Sequence, residues 1–370
     1  KLKKHQNYFE FSTSFRRLTL MGMINTDVAV IGAGPCGIFT VFELGLLGIR
    51  THVIDSLAAI GGQCTTLYPD KPIYDIPGIP SVSGQELIDR LSEQAKPFEA
   101  VYHLGQQVTN LEQQEDKSFV LTTESNTQFH VRAIVIAAGL GAFRARPLRL
   151  SGVEQFVKTN LHYFVEDKSH FKDKNVVILG GGDSAIDWVL AFSSIAKSVT
   201  LVHRRQEFRA APSSVSQMKT LAEDPNHNVR YIVGRIADYT NSSGKIDTIN
   251  VLPFGDADET GELIELDELL VFYGLTPDLG PIADWGLNLD KKNIAVTPET
   301  CATNVPGIFA IGDINSYPGK KKLILAGFHE AALAAYAVQK YLDPSIKQRV
   351  QYTTTSSLLQ ERLGVTEPTE

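Results

Sequence analysis

A short β-branched run followed by G-x-G-x-x-G/A occurs twice in this chain, and no other feature restricts its fold as much. Residues 27–37 read DVAVIGAGPCG and residues 175–185 read NVVILGGGDSA. Gly32, Gly34 and Gly37 of the first copy correspond to Gly180, Gly182 and Ala185 of the second. Each residue type has a physical reason. The first glycine permits the tight turn out of a buried strand, and the second lets the backbone approach a pyrophosphate. The third small residue lets the following helix pack close to the strand. The pattern predicts strand Val28–Ile31, a helix from Ile38 to Leu47 stopped at Gly48, and a second strand Thr51–Ile54 ending in Asp55. An acid there is placed to take ribose hydroxyls. Free N–H groups and the positive dipole end of the helix complete an anion site.

The second copy predicts strand Lys174–Leu179, helix Ser184–Ile195 and strand Ser198–Val202. Its nucleotide-facing candidates are Gly180, Gly182, Asp183 and Ser184 at the turn, then His203, Arg204, Arg205 and Arg209. No acid stands where Asp55 stands in the first copy. A carboxylate would repel a ribose 2′-phosphate, whereas two guanidinium groups would hold it by charge-assisted, bidentate hydrogen bonds. The second site therefore reads as one for NADP(H), and two dinucleotide sites in one chain point to FAD plus a nicotinamide cofactor.

Composition narrows the remaining classes. The net charge is −7, which gives no global case for nucleic-acid binding. No uninterrupted apolar run reaches the ~18 residues of a membrane helix. Cys36, Cys64 and Cys301 form neither a disulfide framework nor a metal-binding spacing, which suggests a reducing, cytoplasmic setting and no metal site. Residues 1–22 are basic and aromatic without a secretory apolar core, and are expected to be a disordered extension.

More distant segments give the family. TNVPGIFAIGD (Thr303–Asp313) resembles the second FAD motif of the two-dinucleotide-domain flavoprotein reductases, and GGGDSAIDW with VTLVHRRQEFRA is similar to the NADPH half of thioredoxin reductase. The dithiol CxxC of that enzyme is absent: the corresponding stretch is Leu161-His162-Tyr163-Phe164-Val165. Without two thiols there is no dithiol–disulfide exchange. GGQCTTLYPDKPIYDIPG (Gly61–Gly78), AAGLGAF (Ala137–Phe143) and the extension IKQRVQYTTTSSLLQERLGV (Ile346–Val365) resemble the ferredoxin (flavodoxin)–NADP⁺ reductases of thioredoxin-reductase type.

That resemblance implies an α/β chain of two Rossmann-like, three-layer ββα dinucleotide-binding domains. Residues 23–142 and 274–345 would form a discontinuous FAD domain. Residues 143–273 would be an inserted NADP(H) domain, and residues 346–370 a tail covering the flavin. It implies FAD contacts from Gly32, Gly34, Cys36, Gly37, Asp55, Gly62, Gln63, Tyr68, Val108, Phe143, Asp313 and Thr355. Tyr68 would stack on one isoalloxazine face, and Tyr352 from a partner subunit would cover the other. A helix starting near Leu325 would point its N-terminus at the flavin. Cys36 stands at a helix start, where a thiol pKa can be depressed, or serves as a small residue against the pyrophosphate. The implied activity is electron transfer between NADP(H) and a one-electron carrier, ferredoxin or flavodoxin, by a homodimer without acid–base side chains. Arg144, Arg146, Arg149 and Lys320–Lys322 are candidates for the basic surface an acidic carrier would favour. The alternatives are another NADPH-dependent flavin disulfide or quinone reductase, and a non-catalytic flavin redox sensor.

Overall fold

The computed structural model describes residues 22–141, 144–157, 159–165, 167–254, 261–276, 278–348 and 352–365. The chain forms two compact units, divided at Gly139/Leu140 and Gly280/Pro281. Unit 1 is built from both ends of the chain and unit 2 from the middle. The division lies a few residues from the boundaries expected at 142/143 and 273/274. The N-terminal extension 1–21 and Phe143 lie outside the described residues.

Unit 1 begins with β1 (Met23–Ile31), α1 (Pro35–Leu46) and β2 (Thr51–Ile54). Proline at the first helical position starts α1 three residues before the expected Ile38, because the fixed φ of proline suits a first turn whose N–H is unpaired anyway. A single turn, α2 (Gln63–Thr66), and the amphipathic α3 (Gly84–Ala95) follow. Ser83 caps α3 by accepting from Glu86 N at 3.1 Å. Next come β3 (Val101–His103), β4 (Val108–Gln113), β5 (Phe119–Thr123) and β6 (Gln128–Ile136). The sheet order is β3-β2-β1-β6-β5-β4. Val28–Val30 and Ala133–Ile136 are fully buried runs, as parallel strands covered on both faces must be. The β4–β5–β6 meander is antiparallel and leaves most of β4 exposed.

Unit 2 contains β7 (Leu161–His162), β8 (Asn175–Gly180), α4 (Asp183–Phe192), β9 (Ser198–His203), α5 (Pro212–Glu223), β10 (Val229–Ser242), β11 (Lys245–Pro253), β12 (Glu262–Glu265) and β13 (Glu268–Phe272). The order is β7-β13-β8-β9-β10-β11-β12, parallel as far as β10 and antiparallel beyond. Alternation along β8 divides the core. Val176 and Ile178 join Ile186, Val189 and Phe192 of α4, while Val177 and Leu179 join Ile246, Ile249 and Val251 of β11. Helices thus cover one face of the parallel sheet and the antiparallel ribbon covers the other, which is the three-layer arrangement.

The chain then returns to unit 1. There β14 (Ile308–Ala310) adds to β6 in parallel, and α6 (Ile324–Leu342) packs against α1. The last element, α7 (Ser357–Leu363), is capped by Ser356 and rests against α1. No helix of the described residues is long and apolar enough to cross a membrane.

Candidate dinucleotide sites

The two turns show why their small residues sit where they do. Gly32 has φ +110°, and a Cβ there would lie 2.4 Å from the Ala137 carbonyl oxygen. A Cβ on Gly37 would lie 1.9 Å from the Gly32 oxygen. Both positions are closed by protein. A Cβ on Gly34 would meet nothing within 4 Å, and the same holds for Gly182 in unit 2. These two glycines keep a space that the protein itself does not fill, at the N-termini of α1 and α4. That is the cradle a pyrophosphate requires.

Around the first cradle unit 1 gathers segments far apart in sequence. Gly61 N donates to Ala33 O at 2.8 Å, and a Cβ on Gly62 would lie 3.2 Å from Gly34 Cα. The Gly61–Gly62 turn therefore seats on the glycine loop and starts α2. Gln63 lies over Gly139, its Nε2 3.3 Å from where a Cβ there would stand. The Tyr68 hydroxyl is 3.5 Å from Cys64 Sγ, and burial raises its pKa, so the phenol stays protonated. Val108 is buried at the head of β4, across the ladder from Thr123. Cys36 packs into the small-residue gap left by Gly312 and Gly327. Burial, with Asp313 and Glu330 nearby, pushes its thiol up to about 12. The depressed pKa considered for a helix-start cysteine is therefore wrong. Desolvation of a thiolate inside the protein outweighs the helix dipole, and Cys36 is a packing residue that joins α1 to α6.

Asp55 accepts from Ala33 N at 2.5 Å and from Leu57 N at 2.8 Å. Its carboxylate thus locks the glycine turn from within, and each oxygen keeps a further lone pair for a ribose hydroxyl. Burial raises its pKa while the two backbone hydrogen bonds oppose the rise.

Glu330 is the residue that sequence reasoning missed. Only 1% exposed, it accepts from Gly312 N at 2.7 Å, Asn315 Nδ2 at 2.9 Å and the Tyr317 hydroxyl at 2.8 Å, and it pairs with Lys320. It fixes the turn that carries Asp313. The signal was present: a lone acid within the core stripe Gly327, Glu330, Ala331, Ala334, Ala335, Val338 of α6. The same contact corrects Lys320 as a carrier-facing charge. Its side chain is 7% exposed and committed to Glu330, whereas Lys321 and Lys322 are exposed, as are Arg146 and Arg149.

In unit 2 the His203 imidazole lies against Gly181, where a Cβ would come within 2.3 Å of the ring. It stacks on Phe208 at 5.1 Å and contacts Glu207 O at 3.1 Å. Burial lowers its pKa, and Arg204, Arg205 and Arg209 push the same way. Arg209 N donates to Gly181 O at 2.8 Å, which binds the basic loop to the glycine turn. Arg204, Arg205 and Arg209 are exposed there. Asp183 accepts from Ala211 N at 3.0 Å and so ties the start of α4 to that of α5. Ser184 is exposed in the first turn of α4.

Tyr352 is 68% exposed, and its carbonyl accepts from Thr355 N and Ser356 N in a turn leading into α7. Arg362 of α7 donates to Leu46 O, at the C-terminal end of α1. The tail is therefore anchored at the opposite end of α1 from Gly34.

Residues 26–339 match the model of the pyridine nucleotide-disulphide oxidoreductase family. The chain is 52% identical to ferredoxin–NADP reductase 2 of Cupriavidus taiwanensis, over 93% of this chain and 92% of that one. It is also 52% identical to ferredoxin–NADP reductase of Polaromonas sp., over 94% of each. The chain belongs to the ferredoxin–NADP reductase family. Among solved structures this reductase is similar in fold to thioredoxin reductase of Lactococcus lactis, with a TM-score of 0.70 and 24% identity over 86% of this chain and 99% of that one. Bacillithiol disulfide reductase of Staphylococcus aureus gives a TM-score of 0.70 at 18% identity, over 88% and 100% of the respective chains. The expected family and two-domain α/β class are both borne out.

Proposed function

We propose that the protein catalyses electron transfer between NADP(H) and ferredoxin, with FAD held in unit 1 and NADP(H) in unit 2. Bound FAD supplies the conversion between a two-electron hydride and single electrons. The side chains bind and orient. Gly34 and the α1 N-terminus receive the flavin pyrophosphate, and Asp55 the ribose. Asp313, set by Glu330, takes the ribityl side, and Gln63 and Tyr68 border the isoalloxazine. Gly182 and the α4 N-terminus receive the nicotinamide dinucleotide, and Arg204 and Arg205 its 2′-phosphate. The observation that carries this reading is the pair of unfilled glycine cradles, one followed by an acid and one by arginines.

The test is NADPH-driven reduction of cytochrome c by the purified yellow protein, with and without ferredoxin. Turnover that depends on ferredoxin and on retained FAD supports the reading. A protein that binds no flavin after reconstitution, or transfers electrons only to disulfides, overturns it. Flavodoxin is a second acceptor of the same kind, and the exposed cations Arg146 and Arg149 of unit 2, or Lys321 and Lys322 of unit 1, are each candidates to meet it. We further infer a homodimer in which Tyr352 and Thr355 reach the partner's flavin, opposite Tyr68. This is supported by the exposure of Tyr352 and the anchoring of α7 away from its own glycine turn. Ending the chain after Pro344 should leave FAD bound, raise its fluorescence and change the flavin-reduction rate. A fully active monomer at micromolar concentration overturns the dimer.

A further inference from the structure

Glu268, the first residue of β13, has a side chain only 4% exposed and is crowded by three nitrogen groups. His162 Nε2 lies 2.6 Å from Oε2. His170 Nε2 lies 2.9 Å and Lys174 Nζ 2.6 Å from Oε1. Nζ is also 3.1 Å from His170 Nε2. Both imidazoles and the ammonium can donate to the carboxylate, but His170 Nε2 and Lys174 Nζ then crowd onto the same oxygen only 3.1 Å apart. A cation that accepts lone pairs from both imidazoles and the carboxylate relieves this crowding of donors.

We propose that His162, His170 and Glu268 form a binding site for a divalent transition-metal cation of the Zn²⁺ type, which displaces the Lys174 ammonium outward. The ligand atoms lie within 4.8 Å of one another. An ion with bonds of ~2.0–2.1 Å sets such atoms about 3.3 Å apart, so the widest pair closes by up to about 1.5 Å while each imidazole nitrogen eases off its carboxylate oxygen by a few tenths of an ångström. Two imidazoles and one carboxylate suit zinc and leave a fourth position for water. The site is partly prearranged, since Phe171, itself buried, meets both rings edge-on at 5.5 and 5.1 Å. Lys174 is 31% exposed and can swing into water. Sequence spacing did not reveal the set, because His162 and His170 precede β8 whereas Glu268 arrives on β13.

The position fixes what the ion does. Glu268 pairs with Val176 near the start of β8, whereas the nucleotide turn follows the Gly180–Phe272 pair at the other end of the same ladder. The ion would clasp the two-residue edge strand β7 and the turn at Lys168–Phe171 to β13, the strand beside β7. It would act on the stability of unit 2 and leave nicotinamide binding alone.

The experiment uses untagged holoprotein treated with a chelator, desalted, and titrated with ZnCl₂ by calorimetry. Co²⁺ serves as a spectroscopic probe at wavelengths beyond the flavin bands. Wild type should bind one Zn²⁺ per chain, with a raised melting temperature and an unchanged KM for NADPH. His170→Gln, at a side chain 45% exposed and so tolerant of change, should weaken Zn²⁺ binding at least tenfold and abolish the Co²⁺ bands. Lys174→Met, which removes the competing ammonium, should tighten binding several-fold. Wild type that binds no zinc, a His170→Gln variant that binds it equally well, or a Lys174→Met variant that binds it more weakly would each overturn the proposal. Far-UV circular dichroism and flavin content identify any variant that has failed to fold.

Discussion

The two units solve the same turn with opposite chemistry. Position 33 and position 181 correspond, as do position 55 and position 203. In unit 1 a small carboxylate reaches back to the N–H of Ala33, and the alanine methyl is tolerated. In unit 2 an imidazole fills that space, so position 181 must be glycine, and the turn is held instead through its carbonyl by Arg209 N. Replacing the acid by a ring frees the end of β9 to carry two arginines. The cofactor choice and the extra glycine are one physical decision, because a carboxylate beside a 2′-phosphate and a methyl beside the ring are both excluded.

The sharpest way to break this comparison is to exchange the small residues. Gly37→Ala places a Cβ against the Gly32 carbonyl, which is backbone and cannot turn aside. The expected loss of stability is at or above the ~1–3 kcal/mol typical of overpacking, with loss of FAD. In unit 2 the equivalent residue is already Ala185, and Ala185→Gly should cost only about 1 kcal/mol. Urea denaturation of both variants checks this, and equal effects would mean that position 37 is not closed against the Gly32 carbonyl. Gly34→Ala should behave differently from either. It meets no protein atom, so the apoprotein should keep its melting temperature while FAD binding weakens at least tenfold, about 1.4 kcal/mol.

Glu330→Gln comes next. It removes the charge opposite Lys320 and leaves a buried ammonium uncompensated, for which ~3 kcal/mol is the expected scale. The variant should also release FAD faster, because the Gly312–Asp313 turn loses an anionic acceptor. A normal melting temperature and normal flavin retention would show that Glu330 does not set that turn.

Arg204→Gln combined with Arg205→Gln tests the unit 2 side. Two exposed charge-assisted contacts should give a tenfold to hundredfold rise in KM for NADPH, about 1.4–2.7 kcal/mol, and little change for NADH. An equal rise for both cofactors would remove these arginines from 2′-phosphate recognition.

The smallest expected effect is on pH dependence. Burial lowers the pKa of His203 in unit 2 and of His52 and His103 in unit 1, from an ordinary value of 6.5. The unfolded chain then binds more protons than the folded one at mildly acidic pH. The contribution of these histidines should be complete above pH 6.5 and fall as pH drops below it. His52 and His103 stack with ring nitrogens 2.9 Å apart, so protonating both is opposed by like charge. His52→Asn should flatten the melting-temperature profile between pH 6.5 and 5 for unit 1. An unchanged slope would place the acid sensitivity elsewhere.

The sequence by itself determined the doubled nucleotide-binding turn, the strands and helices that flank it, the acid and the arginines that distinguish the copies, and the family. These are local matters. A turn that needs positive φ, a strand buried on both faces and a helix stripe each leave a mark within about 30 residues, because sterics and solvent exposure act along the chain. Only the tertiary structure decided that Asp55 holds Ala33, that Cys36 packs between Gly312 and Gly327, that Lys320 is spent on Glu330, and that His162, His170 and Lys174 meet on Glu268. Each of these turns on a polar or ionisable group whose state is set by the partner it meets. That partner arrives from another strand or helix, at a separation no local pattern encodes, and desolvation makes the meeting obligatory once the core has closed.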